Sequence, residues 1–223
     1  WGRRAAVDLE RVRRIALPAD VIRIDERVSR NLQEIVERRA RLLAAYQNAG
    51  YASRYQVLVG RVRISEQDRV GGTRLAEAVA RNYAKLLAYK DEYEVARLHA
   101  SGEFLKRIEG MFEGDYKVNF HLAPPLLARP DPLTGEPRKM RFGPWMLRAF
   151  GLLARLKFLR GTAFDPFGRT QERRMERALI AEYERTVETL LEGLTPANHA
   201  LAVEVASLPE SIRGFGHIKA KSV

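Results

Sequence analysis

The chain has 223 residues, 46% of them hydrophobic and 30% charged, with a net charge of +11 and no cysteine. That is enough length for a substantial core and too much hydrophobicity for a disordered chain. Without cysteine there is no disulfide, no thiolate nucleophile and no Cys-ligated zinc or iron–sulfur cluster in these residues.

The positive charge is uneven. Residues 1–70 hold 15 basic and 9 acidic residues, and 123–171 hold 9 and 3, whereas 71–122 balance at 8 and 8. Two basic segments therefore flank a neutral middle. Basic clusters suit phosphates, but arginine forks suit carboxylates on a protein partner equally well. No Lys/Arg block, zinc finger or aromatic-interleaved motif favours nucleic acid. No apolar run approaches the ~18 residues of a membrane span. The lack of cysteine is compatible with a reducing cytoplasm, the expected location.

In chain order, 5–16 read as a short helix ending at Pro18. A second helical pattern runs from Asp25 to Tyr46, with Gly50 expected to break the chain. Tyr51 to Asp68 form the next helix. The longest clean helical rhythm follows, from Leu75 to Leu98, where Leu75, Val79, Leu86, Tyr89 and Tyr93 share one side. Thr73 is its expected N-cap and Glu77 suits its first turn. Residues 103–113 carry an apolar stripe of Phe104, Leu105, Ile108 and Phe112. The segment 116–122 alternates like a strand, with its partner either outside the chain or in a short extended piece not identified from sequence. Six of the ten prolines fall in 123–144, which reads as a long structured loop. Residues 145–159 are nearly all apolar and are expected to be a core helix. An irregular stretch at 160–168 precedes a helix over 170–191, and Thr195-Pro196 opens a last helix ending at Ser207.

The expected fold is mainly α: a single helical domain over 25–223, with long Pro/Gly-rich structured loops and at most one or two short strands. The sequence begins at Trp1, so it reads as a piece of a longer chain, with 1–24 leading in from a preceding domain.

Several stretches invite a chemical reading. Gly214-Phe215-Gly216 lacks the third glycine and the strand–helix setting of a dinucleotide loop, and neither a P-loop nor a nucleophile elbow occurs. The four histidines show no metal-ligand spacing. Asp91, Glu92 and Glu94 could include a general base beside a tyrosine. The structural alternative, a ladder of Lys90, Glu94 and Arg97 on one helix face, is favoured because it satisfies its own charges. Arg160, Asp165, Arg169, Arg173 and Arg174 admit two readings that spacing leaves open. They form an anion site at the start of the 170–191 helix, or else they face an acidic partner surface or anchor the loop through Arg–Asp pairs.

Taken together, KLLAYKDEYEVARL (85–98), FEGDYKVNFHLAPPLL (112–127), FGPWM (142–146), LRGTAFDPFGRTQERRMERALI (159–180) and LPESIRGFGHIK (208–219) are similar to known sequences. With YQNAGYASRY (46–55), they resemble the carboxy-terminal domain of the fused indolepyruvate ferredoxin oxidoreductases of the 2-oxoacid:ferredoxin oxidoreductase family. The resemblance covers the chain from about residue 25. It implies a parent enzyme that oxidatively decarboxylates aryl pyruvates to acyl-CoA and passes electrons to ferredoxin. Such an enzyme uses thiamine diphosphate, magnesium and a 4Fe-4S cluster, held in other domains. Gly114-Asp115-Tyr116 lacks the second glycine of the thiamine motif, so no catalytic or cofactor residue carries over. The resemblance implies a non-catalytic domain for assembly, with other domains or subunits, ferredoxin and coenzyme A as partners. The alternative is an independent helical module binding an anion or nucleic acid.

Overall fold

A computed structural model of the chain describes residues 31–112, 114–124 and 138–212. The helix read over 5–16, the lead-in at 1–24, most of the proline-rich loop and the glycine-punctuated tail lie outside the described residues. What is described is mainly helical, as expected, with one small two-stranded antiparallel sheet.

Helix α1 (Leu32–Tyr46) is capped by the Asn31 side chain, which accepts from the Glu34 amide. The chain breaks at Gln47 rather than at Gly50. Asn48 caps the next helix, accepting from the Tyr51 amide, and Gly50 lies inside α2 (Ala49–Arg69). An asparagine that satisfies an orphan amide fixes the boundary better than a glycine that merely permits one.

Helix α3 (Arg74–Leu87) is the centre of the molecule. It packs against α1, α2 and two later helices, α7 (Gln171–Glu192) and α8 (His199–Ser207). Ten of its residues are buried, four of them alanines, so it is covered nearly all round. Small side chains let neighbouring helices approach from several directions. Thr73 stands at the N-cap position but makes no capping bond to the backbone. That task falls to Glu66 from α2, wholly buried, whose two oxygens each accept from the amides of Leu75 and Ala76 at 2.8 Å. His199 of α8 places Nε2 at 2.7 Å from the same carboxylate. The buried charge is thus met by helix amides and an imidazole, the arrangement burial requires.

The core around α3 is rich in tyrosine. Tyr83 stacks between Tyr55 and Tyr183, with ring centroids 6.0 and 6.1 Å away. The hydroxyls do not go unpaired: Tyr55 donates to the Ala80 carbonyl, Tyr183 to Ala206, and Tyr83 bonds Glu184. Burial pushes all three phenols above the usual tyrosine range, so they remain neutral.

The expected Leu75–Leu98 helix is two helices. α3 stops at Leu87, the chain turns through Ala88 to Lys90, and α4 (Glu92–Ala100) begins anew with Asp91 as its N-cap, accepting from the Glu94 amide at 2.8 Å. Asp91 and Glu94 have the spacing of a capping box, which marks a helix start. After α4 come α5 (Gly102–Glu109), β1 (Phe120–Leu122), β2 (Met140–Phe142) and α6 (Met146–Arg155) with a 3-10 turn at Leu156–Leu159. Phe120 pairs with Phe142, His121 with Arg141 and Leu122 with Met140. The strand's partner is therefore inside the segment read as an irregular loop. Three residues of unremarkable alternation gave too little pattern to find it.

These elements enclose a second, smaller core of Ala96, Phe120 and Phe150. His99 sits within it, stacked on Phe150 at 5.1 Å and edge-on to Phe104 and Phe120. Helix α6 is not the core helix its composition suggests. Phe150 is buried, but Trp145, Leu152 and Phe158 are 60–63% exposed.

Candidate functional site

The two cores meet where the turn before α4 faces the loop 160–170 and the first turns of α7. Most of the chemically promising residues of the sequence converge here, with partners other than those expected.

Arg160 and Asp91 make a buried ion pair. Arg160 Nε lies 2.5 Å from Asp91 Oδ2 and Nη2 lies 3.0 Å from Oδ1. The remaining nitrogen, Nη1, donates to the Tyr46 carbonyl at 2.7 Å and to Gln47 Oε1 at 2.5 Å. The guanidinium also lies over the Tyr46 ring, 3.7 Å from its centroid. Burial works against the Arg160 charge, but the hydrogen bond and charge of Asp91 outweigh it and hold the group protonated. One arginine thus ties the end of α1, the start of α4 and the loop before α7. The planar fork suits this, since two of its nitrogens grip both oxygens of the Asp91 carboxylate while the third reaches the end of α1.

Asp165 does not pair with an arginine. Its carboxylate accepts from the Tyr93 hydroxyl at 3.1 Å, the Gly161 amide at 2.8 Å and the Phe167 amide at 3.1 Å. The loop is wound around that one side chain. Two glycines make it feasible: Gly161 has φ +74°, and a Cβ on Gly168 would lie 2.6 Å from Asp165 Oδ2. Tyr93 also meets Phe167 edge-on at 5.4 Å. Burial, then the neighbouring Asp165, keeps the Tyr93 phenol well above its usual range.

Arg173 is buried on the first turn of α7 and reaches Glu92 at 3.4 Å and Glu172 at 3.7 Å. Burial raises the Glu92 carboxyl above its ordinary value despite the opposing charge of Arg173. Arg169 and Arg174 are exposed, and Arg169 donates to the Ala163 carbonyl at 3.1 Å.

The residues expected to form a ladder are placed beside this junction rather than in it. Glu94 and Arg97 pair with each other in a two-bond fork at 2.7 and 2.8 Å, and Lys90 is exposed on the turn before α4. The residues that cross to the 160–174 segment are Asp91, Glu92 and Tyr93. Of the five candidates in that segment, Arg160, Asp165 and Arg173 come together in the junction, while Arg169 and Arg174 face outward. Sequence reasoning missed Tyr46 and Gln47, which no local pattern connects to Arg160. The capping-box spacing of Asp91 and Glu94 was the available signal that the helix restarts here.

Chemically, the junction is a clasp. Asp91 gives its oxygens to Arg160 and the Glu94 amide, and Asp165 gives its own to two amides and a phenol. A general base needs an accessible lone pair aimed at substrate; the Asp91 and Asp165 carboxylates are engaged, and Glu92 Oε2, though without a hydrogen-bond partner, is buried. Among the described residues, no group of three or more His, Asp or Glu is arranged to hold a metal ion, and no helix is long and apolar enough to cross a membrane.

Compared with known families, residues 32–223 match the profile of a family of unknown function, DUF6537. No curated protein and no solved structure matches the chain.

Proposed function

The chain belongs to this family of unknown function, and on the strength of the sequence resemblance we propose that it is the non-catalytic carboxy-terminal domain of an aryl-pyruvate ferredoxin oxidoreductase. Its task is to hold the assembly together and to present a basic face to ferredoxin or coenzyme A. The thiamine diphosphate, magnesium and 4Fe-4S cluster of such an enzyme belong to its other domains, and the setting is the cytoplasm.

The observation that supports this reading is the fate of the residues that carry the resemblance. The acidic run at 90–94 and the arginine-rich run at 159–174 lie far apart in the sequence, yet their charged groups bond chiefly to one another across a buried clasp. Sequence features of that kind serve a rigid interface-bearing scaffold better than a reaction. Arg169 and Arg174 stay outside the clasp, where exposed positive charge steers an acidic partner.

The test is charge reversal at Arg169 and Arg174 in the complete oxidoreductase. Arg173 is left alone because it is buried against Glu92. The expected outcome is a KM for ferredoxin raised about tenfold at low ionic strength with kcat unchanged, the difference closing as salt screens the surface. An unchanged KM at low salt removes the docking role. A parent reading frame without a thiamine-binding GlyAspGly and a cluster-binding cysteine set removes the oxidoreductase assignment itself.

A further inference from the structure

Acidic and basic side chains are unevenly divided between two helices that belong to different cores. Residues 137–160, which include β2 and α6, hold seven basic side chains and no acidic one. Residues 186–212, which include the end of α7 and all of α8, hold four acidic side chains and no lysine or arginine. α6 packs on α4, whereas α8 packs on α3 and α7.

Each helix carries an exposed ridge on the side away from its buried residues. On α6 the ridge is Trp145, Arg148, Leu152 and Arg155, opposite Phe150. On α8 it is Leu201, Glu204 and Leu208, opposite Ala202 and Ala206. Trp145, Leu152, Leu201 and Leu208 are all 60–63% exposed. Trp145 and Leu208 cap their helices with helical backbone angles, so the spacing holds to both ends. Arg148, Arg155 and Glu204 make no ion pair among the described residues. The exposed arginines Arg54 and Arg61 of α2, by contrast, are matched to Glu184 and Glu188.

The two ridges are complementary position by position. Both place large apolar groups seven positions apart, about 10 Å along a helix, with a charge three positions after the first. Laid together, Trp145 and Leu152 meet the two leucines while Arg148 meets Glu204. Such alternation of apolar layers and ion pairs is how paired helices select a partner. A ridge laid against its own kind would oppose arginine to arginine or glutamate to glutamate, which favours the unlike pairing. Both ridges are exposed within one chain, so they do not cover each other there.

We propose that this protein self-associates, the α6 ridge of one copy docking on the α8 ridge of a second copy, with Arg148 and Glu204 as the selective pair. Made twice about a two-fold axis, the contact closes a dimer. It does not depend on the oxidoreductase assignment, because both ridges come from this chain. Ridges this short bury less than a standard interface, so a dissociation constant on the order of 100 μM is expected.

Sedimentation equilibrium of the full 223-residue chain reads the association directly. It is run at about 0.15 M salt, where a Debye length of about 8 Å screens the repulsion between copies of charge +11. A mass that rises with concentration is expected. Arg148→Glu and Glu204→Arg, each alone, set like charges opposite one another and should weaken association about tenfold or more. Melting should be unchanged, since both side chains are exposed. The chain carrying both changes restores an opposite-charge pair and should associate within about threefold of wild type. A chain that stays monomeric at millimolar concentration overturns the contact. So does association unaltered by both single changes, or not restored by the double change. A monomer that instead sediments with phosphatidylserine vesicles, and loses them on Arg148→Glu, assigns the α6 ridge to an anionic membrane and overturns the second copy as its occupant.

Discussion

The two cores of this protein solve the same problem with different means. Around α3, five helices bury a continuous set of leucine, valine, alanine and tyrosine side chains, and each buried polar group there has a nearby partner. Around Phe150, a short sheet and three short helices enclose far less, and Trp145, Leu152 and Phe158 remain in solvent. The larger core needs only its own packing. The smaller one is fastened to it by charge, through Arg160, Asp91, Glu92, Arg173, Tyr93 and Asp165, and by Lys157, whose Nζ donates to the Ala45 carbonyl at 2.6 Å. A poorly covered element held by a buried ion pair is a unit whose local stability sits below that of the whole.

Removing the fastening should have the largest effect. Arg160→Ala leaves Asp91 buried without its counter-charge and strips donors from Tyr46 and Gln47. A loss of about 3–5 kcal/mol is expected by chemical denaturation, the range for breaking a buried pair on one side. A loss below about 1 kcal/mol, the value of an exposed pair, would show that the clasp does not hold the cores together.

Phe150→Ala comes next. Deleting a buried phenylalanine typically costs about 3–5 kcal/mol, and the lower end is expected where neighbours can collapse inward. Hydrogen exchange should then show lost protection in α4 and α6 while amides of α3 keep theirs. Uniform loss across both regions would mean that the two cores open as one.

The smallest effect concerns pH. Burial, then the charge of Lys90, lowers the His99 imidazole from its ordinary 6.5. A histidine with a depressed folded pKa is stabilising above the unfolded value. Below about pH 6.5 the unfolded chain takes up a proton that the folded chain refuses, so stability falls until the folded pKa is reached. His99→Phe keeps the aromatic packing and removes the titration. Its stability should therefore decline less steeply than wild type as pH falls from about 6.5. Parallel pH profiles for the two proteins would place the titration elsewhere.

How much of this was legible in advance follows from how local each signal is. The mainly helical fold, the approximate extent of α2 and α7, and the central position of the 75–87 segment follow from periodicity and from where glycine and proline fall. The division of the 75–98 stretch was legible as well, since Asp91 and Glu94 have capping spacing; the continuing apolar rhythm through Tyr89 and Tyr93 obscured it. Apolar periodicity survives a turn when both sides of the turn face the interior. The candidate residues Arg160, Asp165 and Arg173 were identifiable as unusual, but their partners were not. Their contacts span about seventy to a hundred and ten positions of sequence, and no pattern within a helix encodes such pairs.

The sequence by itself determined the fold class and the central helix, because helix periodicity, capping and turn chemistry act within a few residues. It also determined that charge would concentrate at 90–94 and 159–174. Only the tertiary structure decided that Asp91 rather than Glu94 would meet the arginines and that Glu66 rather than Thr73 would cap α3. It also decided that a strand would find its partner near the end of the proline-rich segment, at Met140–Phe142. The physical reason is the same in each case. A side chain's preference for burial, charge or a cap is written locally, but which group satisfies it depends on what the fold brings within 3 Å.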